Sequence, residues 1–218
     1  MRGPLVLGLL SALACSGTGG KGADSAGNPD QDVRGLYALQ WSGVYTLRLD
    51  IGGAVQEQQS DGETGIVTFN APDGSPLEID LAAFCADPAV VCPSEVLPDQ
   101  VAIDEDDPLG VQVVHSLRLW DPENPAVVRS GLVRHDTDEF LFALEGEGDG
   151  NDTCGALALS LAGGTFAQPA DSGSTGWTIT NGKVAVGWLG VCAWEGLAVA
   201  ATLSMETTYT GSWESELP

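Results

Sequence analysis

The chain has 218 residues and carries 31 Asp and Glu against 8 Lys and Arg, a formal net charge of −23. That balance excludes nucleic acid as a partner and excludes docking by charge on an anionic membrane. With 43% hydrophobic residues it can still bury a sizeable core, so the acidity reads first as solubility and second as a possible affinity for calcium.

Arg2 precedes an apolar run from Leu5 to Ala14. Ten helical residues rise only about 15 Å, half a hydrocarbon core, so the run is too short to span a bilayer. A short apolar stretch behind a basic residue, ending in small residues, reads as a secretory signal peptide over residues 1–14. Ala12-Leu13-Ala14 has the A-x-A form cut by ordinary signal peptidase. Ala12-Leu13-Ala14-Cys15 also resembles the lipobox of bacterial lipoproteins, with cleavage between Ala14 and Cys15. The resemblance covers about fifteen residues and departs from the commonest pattern in having Ala12 where Leu is usual.

It implies that Cys15 carries a diacylglyceryl thioether and usually an N-acyl chain such as palmitate. At ~0.8 kcal/mol per buried methylene, two or three chains anchor a protein firmly where one does not. Ser16 stands where this family often has the Asp that retains lipoproteins at the inner membrane, which implies the outer membrane of a Gram-negative envelope. Residues 15–32 then form a lipidated cysteine and a Gly-, Ser- and Asp-rich tether with scarcely an apolar side chain. As a flexible chain the tether spans roughly 20–25 Å.

Residues 33–218 are one domain's worth of chain. The hydrophobic period is two almost everywhere. In VYTLRLDI, Tyr45, Leu47, Leu49 and Ile51 share one face and Thr46, Arg48 and Asp50 the other. Gly52-Gly53 is a hairpin break, and TGIVTFN, the turn APDGSP and PLEIDL follow. The rhythm then lapses near residues 80–100, where a helical turn at Leu81–Cys85 leads into a Pro-rich, disulfide-pinned excursion. After the acidic loop DEDDP come LGVQVVHSLRLW, the longest strand candidate, then AVVRSGLVR, FLFALEG and GALALSLAGGTF. Asn181-Gly182 is a hairpin signal within the closing GWTITNGKVAVGWLGVCAW, and GLAVAATLSMETTYTGSW ends the chain. The expected fold is all-β: a single antiparallel barrel or sandwich of about ten strands.

Five cysteines are an odd number. Lipidation of Cys15 removes one and leaves Cys85, Cys92, Cys154 and Cys192 for two disulfides in an oxidising compartment. The short Pro-containing loop CADPAVVC favours Cys85–Cys92 and so Cys154–Cys192. No cysteine has zinc-site spacing.

Catalytic motifs are missing: there is no G-x-S-x-G, S-x-x-K, H-E-x-x-H or phosphate-cradling glycine loop. His115, between Val113 and Leu117, reads as a core histidine in preference to a general base, and His135 as turn chemistry beside Asp136. No catalytic or metal-ligating residue is therefore assigned and no cofactor is expected, with one weak calcium candidate. Glu145, Glu147 and Asp149 imitate the first half of an EF-hand loop, whose twelfth position is Ala156 where a bidentate Glu is needed. The acidic run Asp104–Asp107 is a fainter version.

Six tryptophans, at 41, 120, 177, 188, 194 and 213, suit core packing or a ligand cup. GLYALQW and YTGSW can pair and close a barrel, a faint resemblance to lipocalins. The lipocalin G-x-W is absent, since Gly35-Leu36-Tyr37 has Tyr at the Trp position, and no Arg follows Arg134.

The functional expectation is a non-enzymatic, lipid-anchored envelope protein with a structural, adhesive or assembly role, partnered by the membrane through its anchor. A carrier of a small apolar ligand is the alternative. An envelope hydrolase using acidic residues or His115 is the third reading.

Overall fold

A computed structural model describes residues 32–87, 90–106, 113–144, 154–168, 176–194 and 197–217, and their side chains except for 154–158, 191–194 and 197–199. The described elements are β1 (Gly35–Ile51), β2 (Ala54–Asp61), β3 (Ile66–Asn70), β4 (Pro76–Asp80), α1 (Leu81–Cys85), α2 (Pro93–Val96), β5 (Gln100–Asp106), β6 (Val114–Asp121), β7 (Asn124–Arg134), β8 (Glu139–Leu144), β9 (Cys154–Ala167), β10 (Thr178–Trp194) and β11 (Leu197–Ser215).

Of the two all-β architectures the sequence allows, the chain adopts the barrel. Strands β1 and β5 to β11 pair in turn, all antiparallel, and β11 returns to β1. Closure leaves these strands without a free edge to template aggregation. The GLYALQW and YTGSW segments make the seam, with Tyr37 opposite Trp213 and Trp41 opposite Tyr209. On its other edge the first strand serves two further neighbours: Gly35–Ala38 pair with β5, and Val44–Ile51 pair with β2.

Strand β2, AVQEQQSD, is mostly exposed and carries no apolar alternation, so nothing in its sequence marks it. It forms because Gly52 and Gly53, both at positive φ, fold the chain straight back onto β1. The pair β3 and β4 makes a separate two-stranded sheet around the Pro72-Asp73-Gly74 turn.

Two sequence expectations are corrected. The longest strands are β1, β10 and β11, of 17, 17 and 19 residues, whereas β6 has 8. Asn181-Gly182 is no hairpin: both residues lie inside β10, where the register with β11 slips between Ile179 and Gly182. Asn181 has φ 52°, and left-handed backbone serves a β-bulge as readily as a turn. Gly182 is required there because a Cβ would come within 2.4 Å of the Tyr209 carbonyl oxygen. The β10–β11 connection falls between Trp194 and Leu197, which pair directly.

Alternate residues turn inward along most of the described barrel strands, β7 being exposed over Asn124–Val128, and one continuous buried cluster results. Tyr37, Leu47, Ile103, Leu117, Phe142, Phe166, Ile179 and Met205 are its largest wholly enclosed members from the barrel strands. Arg48, Arg118 and Arg134 project outward from the same strands. Tyr37 fills one end of the barrel, its hydroxyl donating to the Val33 carbonyl at 2.7 Å. The indole at this end comes from the last strand: Trp213 lies against Gly35 and donates to the Arg34 carbonyl at 3.3 Å.

Toward the opposite end sits the excursion of residues 81–99. Asp80 caps α1 by accepting from the Ala82 and Ala83 N–H groups. The Cys85–Cys92 disulfide is present, with Cα atoms 5.6 Å apart. Leu81, Val96 and Leu97 join the core, and Phe84 meets Trp188 edge to face at 5.1 Å. Among the other tryptophans Trp41, Trp177 and Trp213 pack partly buried on the core and Trp120 is half-buried.

Candidate functional site

The DEDDP segment is not a loop throughout. Asp104, Glu105 and Asp106 continue β5, so the strand's alternation applies to them. Asp104 turns outward and pairs with Arg118, Asp106 is exposed, and Glu105 turns into the barrel. His115 also turns inward, near the start of β6, and His135 immediately follows β7. In the register Glu105 faces Leu117 and His115 faces Val133, so the three residues occupy successive diagonal positions across β5, β6 and the end of β7. Diagonal neighbours lie within reach of long side chains, and here they converge.

Glu105 Oε1 is 2.5 Å from His115 Nδ1 and 2.6 Å from His135 Nε2. The two nitrogens are 3.2 Å apart, and the rings meet edge to face at 4.4 Å. The second carboxylate oxygen, Oε2, accepts the Val33 N–H at 3.1 Å, tying the site to the start of β1. The His135 N–H donates to the Val113 carbonyl at 2.8 Å and holds the turn in place.

Side-chain exposure is 14% for His115, 8% for Glu105 and 4% for His135. The Nδ1 of His135 is buried without a hydrogen-bond partner among the described residues. Asp138 borders this turn; burial raises its carboxyl above the ordinary range, aided by the Asp136 charge, while His135 opposes the shift.

Both histidines of the chain thus share one carboxylate. A core role for His115 and a turn role for His135 describe their positions and miss their meeting. No local motif could have shown it, because Glu105 is separated from them by 10 and 30 residues. The available signal was two strands carrying inward polar residues at the same end of the domain. Two imidazole nitrogens with a carboxylate oxygen can hold a proton between fixed partners, or hold an imidazole-preferring divalent metal.

The remaining sequence candidates fall elsewhere. Cys15, Ala14 and the calcium candidates Glu145, Glu147 and Asp149 lie outside the described residues. The backbone register sets Cys154 directly opposite Cys192, while the side chains that would bond lie outside the described ones.

A second feature lies on the wall. The bulge of β1, between Trp41 and Tyr45, and that of β10, between Ile179 and Gly182, fall on either side of the same stretch of β11. A groove of about 620 Å³ opens there, lined by Trp41, Ser42, Asn181, Lys183, Thr208 and Tyr209 among others. No family model, curated protein or solved structure matches this chain.

Proposed function

We propose that the chain is a lipoprotein anchored through Cys15 at the outer membrane of a Gram-negative envelope. The 15–32 tether holds its barrel off the bilayer, and the barrel serves a non-enzymatic structural, adhesive or assembly role. The observation that carries this reading is the packing of the interior. A small-ligand carrier works through an enclosed cavity of several hundred Å³. The barrel architecture is compatible with such a carrier, yet most of its described inward side chains form one continuous apolar cluster from Tyr37 to Trp188, with the polar group Glu105, His115 and His135 at one end. The outer wall offers a partner the bulge groove beside Lys183 and its ion pair with Glu206.

Detergent phase partitioning tests the anchor. The wild-type chain, expressed in a Gram-negative host, is expected in the detergent phase, and Cys15→Ala in the aqueous phase. Identical partitioning of the two refutes anchoring through Cys15.

A further inference from the structure

We infer that Glu105, His115 and His135 form a binding site for one divalent first-row transition-metal ion of the Zn²⁺ class. The inference does not depend on the lipid anchor and rests on three observations of the barrel's end.

The first is convergence. Three donor atoms from β5, β6 and the turn that follows β7 meet at a point: His115 Nδ1, His135 Nε2 and Glu105 Oε1, with separations of 2.5, 2.6 and 3.2 Å. A tetrahedral ion bound at about 2.0–2.1 Å holds its ligand atoms roughly 3.3 Å apart. The nitrogens already have that spacing, and the carboxylate oxygen needs to withdraw by only about 0.7 Å. Glu105 reaches the point through a flexible side chain, so that movement needs no shift of backbone.

The second is that protons serve this triangle poorly. If both nitrogens donate to Oε1, two N–H groups crowd onto one oxygen with their nitrogens 3.2 Å apart. If one nitrogen accepts from the other, its lone pair faces the carboxylate oxygen at hydrogen-bond distance with no proton to share. A single cation among the three atoms turns every close approach into an attraction.

The third is the cost of keeping His135 there. Its Nδ1 is buried without a partner among the described residues, a loss of about 1–3 kcal/mol. An apolar residue would fill the end of the barrel without that loss. A ligand held at Nε2 gives the imidazole a reason to stay.

The donor set selects the ion. Imidazole nitrogen suits zinc, copper, nickel and ferrous iron, while calcium and magnesium take oxygen ligands. The Val33 N–H on Oε2 supplies the outer hydrogen bond that usually orients a ligating carboxylate. The net charge of −23 raises the local concentration of any cation. It also creates a background of weak carboxylate binding that a test must suppress.

The test uses the full chain in mild detergent, with excess Ca²⁺ and Mg²⁺ present to occupy the acidic surface. Calorimetric titration with Zn²⁺ is expected to show one tight site per chain. His115→Gln and His135→Gln are each expected to weaken it by at least about 100-fold, and Glu105→Gln by about 10-fold or more.

Because a histidine variant can fail to fold, the wild-type chain provides a second measurement. It has two histidines, so their ring resonances in an NMR spectrum need no assignment. One equivalent of Zn²⁺ is expected to shift both and to leave both in slow exchange. Absence of a tight site, binding unaffected by both histidine variants, or ring resonances that ignore Zn²⁺ would each overturn the inference.

Discussion

Removing the Cys85–Cys92 bridge tests whether the 81–99 excursion is held by its covalent link or by its packing. The cysteines are 7 positions apart. In the chain-entropy account, closing a loop of that length reduces the freedom of the unfolded chain by about 2.4 kcal/mol at 298 K. Cys92 is wholly buried, so Cys85→Ala/Cys92→Ala also loses sulfur packing, on the order of 1 kcal/mol. The expected loss is therefore about 3 kcal/mol, or roughly 6–12 °C in Tm for a domain of this size. Urea unfolding followed by tryptophan fluorescence is a suitable assay, since Trp188 contacts Phe84 in the excursion at 5.1 Å. The m-value should stay constant, because the excursion's Leu81, Val96 and Leu97 unfold with the core they belong to. A loss below about 1 kcal/mol would refute the reasoning, since it would mean that packing alone holds the excursion.

The tyrosines make an alkaline prediction. All three hydroxyls are pushed upward, chiefly by burial: Tyr37 and Tyr209 strongly, and Tyr45 to about 12 with help from the Glu63 charge. Groups raised in the folded state keep their full stabilising contribution below the unfolded value near 10 and lose it as pH rises toward the folded values. Ultraviolet titration at pH 10 should therefore show almost no phenolate in the native protein, followed by joint ionisation as it unfolds; half-ionisation of even one tyrosine at pH 10 would contradict it. Gly131→Val should cost about 1–3 kcal/mol or more, because a Cβ there would stand 2.4 Å from the Phe142 ring. Chemical denaturation measures this, and an unchanged midpoint would show that the ring can move aside.

Period-two alternation determined most of the fold by itself. In β1 the inward Tyr45, Leu47 and Leu49 are apolar and the outward Thr46, Arg48 and Asp50 polar, because a strand with one face in water segregates its side chains. Turn chemistry at Gly52-Gly53 and Pro72-Asp73-Gly74 was equally legible, and so was the short bridged loop from Cys85 to Cys92. Local information failed where pairing is decided by neighbours. Strand β2 forms on an edge that β1 offers it, with no pattern of its own. Asn181-Gly182 supplies left-handed backbone that a hairpin or a bulge can use, and the long continuous pairing of β10 with β11 selected the bulge.

Barrel closure over a sandwich was likewise a tertiary decision, made when β11 returned to β1. The site followed from that closure. The sequence showed two isolated histidines and an acidic run. Only the register of β5, β6 and β7 put Glu105, His115 and His135 on one diagonal at the barrel's end, because inward direction and diagonal reach are properties of paired strands and of no single segment.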